Sequence, residues 1–159
     1  MTMPEIDLDI HYHVRSVADD SVRFREAAQW IAHRQRLRRL VASVAIVGDA
    51  DSRQWNRQHL GHDYATDVIS FEIDGGSDWI DGEVIANAEL AQRLAEKAGW
   101  CAEDELLLYV IHGLLHVVGL DDQTPQQAAD MRQAEQECLT HLGVPGAEKH
   151  VQRWSVVSY

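Results

Sequence analysis

Two histidines four residues apart, His112 and His116, followed by Gly119 and Asp122, carry the clearest chemistry in this sequence. Residues at that separation lie on one face of an α-helix, one turn above the other, so both imidazoles can reach a single ion. Gly119 tolerates positive φ, which lets the helix end and the chain turn back to bring Asp122 to the same point. Two imidazoles and one carboxylate leave coordination positions for water or substrate, as a catalytic metal requires. The competing explanation is packing, since a histidine on an apolar helix is usually a buried side chain with satisfied nitrogens. Both histidines, however, sit inside the most apolar run of the chain, Leu106 to Leu120. Two unpartnered imidazoles there would cost on the order of 1 to 3 kcal/mol each. An ion removes that cost, and the segment reads as a site for one divalent metal, with zinc the expected ion. The spacing from Gly119 selects Asp122 as the third ligand and leaves Asp121 to fix the turn through the backbone.

The same spacing resembles that of metzincin-type zinc peptidases, which need a glutamate directly after the first histidine as general base. Gly113 stands at that position and cannot take a proton. A peptidase is therefore disfavoured, and the small residue is expected to leave the site open to something bulky.

The run His112-Gly113-Leu114-Leu115-His116-Val117-Val118-Gly119-Leu120-Asp121-Asp122 resembles the signature His-Gly-x-Leu-His-Leu-x-Gly-Tyr-Asp-His of the YbeY family. That family comprises bacterial rRNA maturation factors that are metal-dependent single-strand endoribonucleases. The likeness extends to Trp55-Asn56, to Asp63 through Phe71 with its Thr66-Asp67-Val68-Ile69-Ser70-Phe71 core, and to the strand Gly82-Glu83-Val84-Ile85. Order and spacing agree over about residues 40 to 143. The resemblance implies an α+β fold, a metal helix in a central cleft close to the Asp67–Phe71 strand, and cleavage of single-stranded rRNA in maturation of the 16S 3′ end and in ribosome quality control. It further implies ribosomal particles as partners and a cytoplasmic location. Glu83 and Asp67 fall in the family blocks and are the candidate catalytic carboxylates.

Two positions depart from the family pattern. The third ligand, usually histidine, is Asp122 here, which lowers the charge of the metal centre by one and favours harder metals. An arginine that faces substrate phosphate in the family falls, counting back from Thr66, at Leu60. Leucine can neither hydrogen-bond nor neutralise a phosphate, so a neighbour such as Arg57, His59 or His62 substitutes, or cleavage is weakened. The alternative is a ribosome-associated assembly factor with little cleavage and a fold-stabilising metal. Such a closed site needs a fourth protein ligand. Cys101 is about 16 Å along a shared helix from His112 and is excluded, whereas Cys138, His141 and His150 remain open. A metallohydrolase of small molecules or peptides rests on the ligand spacing alone.

The elements that must position these groups follow from periodicity. Ile6 to Val14 alternates as a strand, and Asp19 or Asp20 caps a helix running to about Arg38 with Phe24, Ala27, Ala28 and Ile31 on its apolar side. Val41 to Val47 is a second strand, and a short helix follows near Asp51 to Leu60. Asp67 to Ile73 and Ile80 to Ala86 are two more strands, joined by Asp74-Gly75-Gly76-Ser77. Asn87 caps a helix ending at Gly99, acidic Glu103 to Glu105 open the metal helix, and Thr124-Pro125-Gln126-Gln127 begins a last helix by a capping box. Residues 147–159 show no firm pattern, with Trp154 and Val156-Val157 suited to an extended tail. The expectation is an α+β domain spanning 1–159, with about four strands in a small mixed sheet packed with helices.

With 159 residues and 45% apolar content the chain can bury a core without disulfides, and Cys101 and Cys138 suit a reducing compartment. The N-terminus does not read as a signal peptide, and Leu106 to Leu120 is too short for a bilayer span. No nucleotide-cofactor motif is present. A formal net charge of −12 opposes a broad nucleic-acid-binding face. His33, Arg34, Arg36, Arg38 and Arg39 form one basic cluster, equally explained by a helix C-terminus. RNA bound by this chain is expected to be held weakly and with strong salt dependence.

Overall fold

The computed structural model describes residues 2–153, arranged as four strands and six helices around one sheet. The strands are β1 (Glu5–Tyr12), β2 (Arg39–Val47), β3 (Val68–Gly75) and β4 (Trp79–Asn87). The helices are α1 (Ser21–Arg34), α2 (Asp49–Leu60), α3 (Ala88–Ala98), α4 (Ala102–Val117), α5 (Pro125–His141) and α6 (Ala147–Arg153). Strand order is β1-β2-β4-β3, with β1, β2 and β4 parallel and β3 antiparallel to β4. The fold is the expected α+β arrangement with a mixed four-stranded sheet.

Side-chain alternation assigns the two sheet faces. Leu40, Ala42, Val44 and Ile46 of β2, with Val84 and Ala86 of β4, are buried toward α1, α3 and α4. The opposite face carries a smaller cluster, Val47, Ile69 and Ile85, against which Trp55 of α2 and Phe71 pack. Helix α4 is apolar on every side, and each residue from Glu105 to Leu115 is buried, which marks the central helix of a layered core. Its one buried acid, Glu105, accepts hydrogen bonds from Trp100 Nε1 at 2.8 Å and Tyr109 Oη at 2.9 Å.

Two glycines set how closely α4 approaches the sheet. A Cβ on Gly113 would lie 2.7 Å from Val84 Cγ1, and one on Gly82 would meet Val117 Cγ2 at 2.8 Å. Gly113 is thus a packing residue pressed on β3 and β4, which corrects the expectation that its small size opens the site.

Most expected boundaries hold to within a few residues, and the Asn87 cap and the Thr124–Gln127 capping box both form. α1 stops at Arg34, earlier than the expected Arg38, because Arg36 adopts φ 57 and turns the chain into β2. Residues 147–153, expected without pattern, form α6. The expected tail at Trp154 and Val156-Val157 lies outside the described residues.

Candidate metal centre

The site lies where the C-terminal end of α4 meets the start of edge strand β3. His112 and His116 project from α4 with ring centroids 4.5 Å apart and planes inclined at 80°. After Val117 the helix ends, Gly119 takes φ 109, and backbone bonds from Gly119 N to His116 O and from Leu120 N to Leu115 O close the turn. Asp121 Oδ1 accepts from Asp122 N at 2.8 Å, so Asp121 shapes the turn and Asp122 points back at the histidines. His112 Nε2 and His116 Nε2 are 3.1 Å apart, and Asp122 Oδ2 is 3.7 Å and 3.6 Å from them.

Those separations test the donor set against an ion. Two tetrahedral zinc ligands at 2.0–2.1 Å from the metal are about 3.3 Å from each other. The three atoms therefore already converge to within a few tenths of an ångström of that spacing. Burial and the neighbouring charges of His116 and Arg132 push the His112 imidazole well below its usual range, so its neutral form, the form that binds metal, is favoured. Among the described residues these three are the one group of His, Cys, Asp or Glu able to hold an ion together. Cys138 is buried with its thiol pushed up to about 12 by burial and lies outside the group, as does His141. The side chain of His150 is not among those described.

Behind His112 stands a buried carboxylate. Glu135 of α5, 0% exposed, places Oε2 2.6 Å from His112 Nδ1, and Arg132 Nε lies 2.9 Å from Glu135 Oε1. Burial pushes the Glu135 carboxyl up to about 8, with Arg132 opposing the shift. The sequence reading missed both residues. The signal was present: Glu135 falls among Met131, Ala134 and Cys138, on the buried stripe of α5, where a carboxylate needs a partner.

The cleft in front of the ligands encloses about 400 Å³ and is lined by Leu60, Val68, Ser70, Leu120 and the two histidines. Leu60 does occupy its wall, where the count from Thr66 places the family arginine. None of the residues considered as its substitutes lines that wall. Arg57 pairs at 3.8 Å with Asp63, His59 stacks on Trp55 with centroids 4.6 Å apart, and His62 packs against Tyr64.

The two candidate catalytic carboxylates separate. Asp67 is close enough for its charge to favour the protonated form of His112, and its Oδ1 accepts from Thr66 Oγ1 at 3.1 Å and Val68 N at 2.7 Å. Glu83 alternates with Gly82 and Val84, which face α4, and pairs across the strands with Phe71, which packs on the α2 side. Strand alternation therefore points Glu83, expected as a candidate catalytic carboxylate from its family block, to the far face of the sheet, away from the two histidines.

Asp67 is held in place by a network that was also missed. Ser52 Oγ donates to Thr66 O at 2.9 Å and accepts from Thr66 N at 3.0 Å, Asn56 Nδ2 donates to Tyr64 O at 2.9 Å, and Asn87 Nδ2 reaches Thr66 O at 3.2 Å. All three side chains are buried and tie residues 61–67 to α2 and β4.

Comparison with known proteins agrees with this architecture. A family model described as Endoribonuclease YbeY matches residues 10–143. An Endoribonuclease YbeY of Rhodopirellula baltica is 43% identical over 103 residues, covering 64% of this chain and 53% of that protein. Those of Chloroherpeton thalassium and Pseudomonas entomophila are 34% and 31% identical, covering 76% and 88% of this chain and 84% and 91% of theirs. A solution structure of a Thermotoga maritima protein superposes with a TM-score of 0.59 at 20% identity, covering 89% of this chain and 95% of that one, a likeness of fold.

Proposed function

The chain belongs to the YbeY endoribonuclease family, and from that premise we propose that it is a zinc-dependent hydrolase of single-stranded RNA acting in rRNA maturation, with residues 1–159 as one domain. The observation that carries the proposal is the convergence of His112 Nε2, His116 Nε2 and Asp122 Oδ2 at ligand spacing on the floor of an open cleft. These three residues would hold the ion, which supplies Lewis acidity to a phosphoryl oxygen and lowers the pKa of water.

The chain's own residues supply the rest. Ser70 and Leu120 bound the cleft in front of the two histidines. Asp67 is the candidate proton acceptor: both of its hydrogen bonds from Thr66 and Val68 fall on Oδ1, which leaves Oδ2 to take a proton from water or from a ribose 2′-hydroxyl. Glu83 has no part in that role. The site of action is the cytoplasm, and the partners are rRNA and ribosomal particles. No helix among the described residues is long and apolar enough to cross a membrane.

Leu60 on the cleft wall favours a second reading, an assembly factor with little cleavage, because it offers a substrate phosphate no hydrogen bond. Purified native protein and its Asp67→Asn variant, each of known metal content, decide between the two on end-labelled single-stranded and duplex RNAs carrying the 16S 3′ end. Cleavage of the single strand alone, reduced in Asp67→Asn, supports the nuclease. No cleavage by the metal-loaded native protein supports the assembly factor.

A further inference from the structure

We infer that Glu135, held by Arg132, is a positioning residue of the metal centre that fixes His112 with Nδ1 as donor and Nε2 as the ion-facing atom. The inference rests on the ligand assignment above and extends it to two residues that touch neither ion nor substrate.

The argument starts from cost. Glu135 is 0% exposed, on a stripe of α5 whose other members, Met131, Ala134, Cys138 and Leu139, are buried and uncharged. A carboxylate in such a place loses several kcal/mol of hydration, by order of magnitude, and an apolar side chain of similar size would stabilise the fold at least as well. Its Oε1 receives no well-directed hydrogen bond, although Arg132 Nε stands 2.9 Å away. Fold stability alone does not account for the residue, whereas the contact of Oε2 with His112 Nδ1 at 2.6 Å does.

Imidazole can present either nitrogen, and metal binding needs a lone pair on the one that faces the ion. With Nε2 turned to the other two ligands and keeping its lone pair for the ion, Nδ1 is left to carry the hydrogen, and Glu135 Oε2 at 2.6 Å is the acceptor placed to receive it. Nε2 is the atom that meets His116 Nε2 at 3.1 Å and Asp122 Oδ2 at 3.7 Å. A carboxylate behind a ligating histidine also stops the ring from rotating and raises its basicity. Arg132 completes the arrangement. Its Nε at 2.9 Å from Glu135 Oε1 holds the carboxyl by the oxygen that is not against His112. Arg132 Nη2 also lies 3.2 Å from His112 Nδ1, so the guanidinium touches the ring as well as the carboxyl behind it.

The test is zinc affinity of the full chain, by competition with a chromophoric chelator, for native protein, Glu135→Gln, Glu135→Asp, Arg132→Met and His116→Ala. The unfolding midpoint of each metal-stripped protein is measured alongside. Glu135→Gln is expected to weaken zinc binding about 10- to 100-fold while the metal-free midpoint stays level or rises, with partial recovery in Glu135→Asp. Arg132→Met is expected to lose several-fold. Equal zinc affinity in native protein and Glu135→Gln overturns the inference and leaves the ligand assignment standing. Native protein binding no better than His116→Ala overturns the ligand assignment, and the inference with it. Should Glu135→Gln fail to fold, Arg132→Met decides, and unchanged affinity there also overturns the inference.

Discussion

On one side of the cleft stands α4, where every residue from Glu105 to Leu115 is buried and His112 is backed by Glu135. On the other side stand the end of α2 and residues 61–67, where Leu60 is 52% exposed and Tyr64 56% exposed, anchored from below by Ser52, Asn56 and Asn87. The first wall is set by packing and can place ligand atoms to a few tenths of an ångström, because a close-packed interior resists displacement. The second is set by a handful of hydrogen bonds under an exposed rim and can change its surface chemistry without disturbing the core. Departures from the family pattern fall where this division allows them, at the rim position Leu60 and at Asp122 beyond the helix end. The two histidine ligands thus belong to the buried wall, whereas the candidate proton acceptor Asp67 and the substrate-facing rim belong to the other.

That division is open to direct attack, most severely at the ligands. His116→Ala should lower RNA cleavage roughly 100- to 1,000-fold in initial-rate assays while the unfolding midpoint of the metal-free protein changes little, since His116 is partly exposed. A comparable loss with an intact zinc content would break the assignment of the buried wall. Gly113→Ala touches no ligand, yet its Cβ would lie 2.7 Å from Val84 Cγ1. Thermal unfolding should show a loss of about 1 to 3 kcal/mol, with weaker zinc binding as α4 is pushed off the sheet.

The exposed wall should respond in the opposite sense. Leu60→Arg adds a cation at the cleft, so KM for single-stranded RNA should fall several-fold and the salt dependence of binding steepen by about 0.7 in the log–log slope, with unfolding unchanged. A stability loss there would blur the distinction between the walls. The smallest effect is expected at Arg53, paired with Asp63 at 2.7 Å on the open surface. Arg53→Ala should leave the unfolding midpoint and cleavage rate within error, because exposed ion pairs are screened by water.

The ligand triad was legible because four-residue spacing and a terminal glycine are local signals with direct geometric meaning. The strands, the Asn87 cap and the Thr124 capping box were legible for the same reason. What escaped the sequence needed knowledge of which surfaces meet. The face presented by Glu83 depends on which side of the sheet α4 covers, and alternation alone does not say. Gly113 read as open space until the distance from α4 to β4 showed that it permits contact between helix and sheet. Ser52, Asn56 and Glu135 act on residues 14, 8 and 23 positions away, separations with no periodic signature. Helix α6 is only seven residues long, too short for an apolar period to stand out.

The central claim, that three protein ligands hold one ion and leave part of its coordination sphere open, is tested most directly by zinc X-ray absorption on protein reconstituted with one equivalent of the metal. The account predicts one ion per chain with only nitrogen and oxygen neighbours, at about 2.0 to 2.2 Å, including light atoms from solvent. A sulfur neighbour at about 2.3 Å, or a chain that retains no zinc, would contradict it.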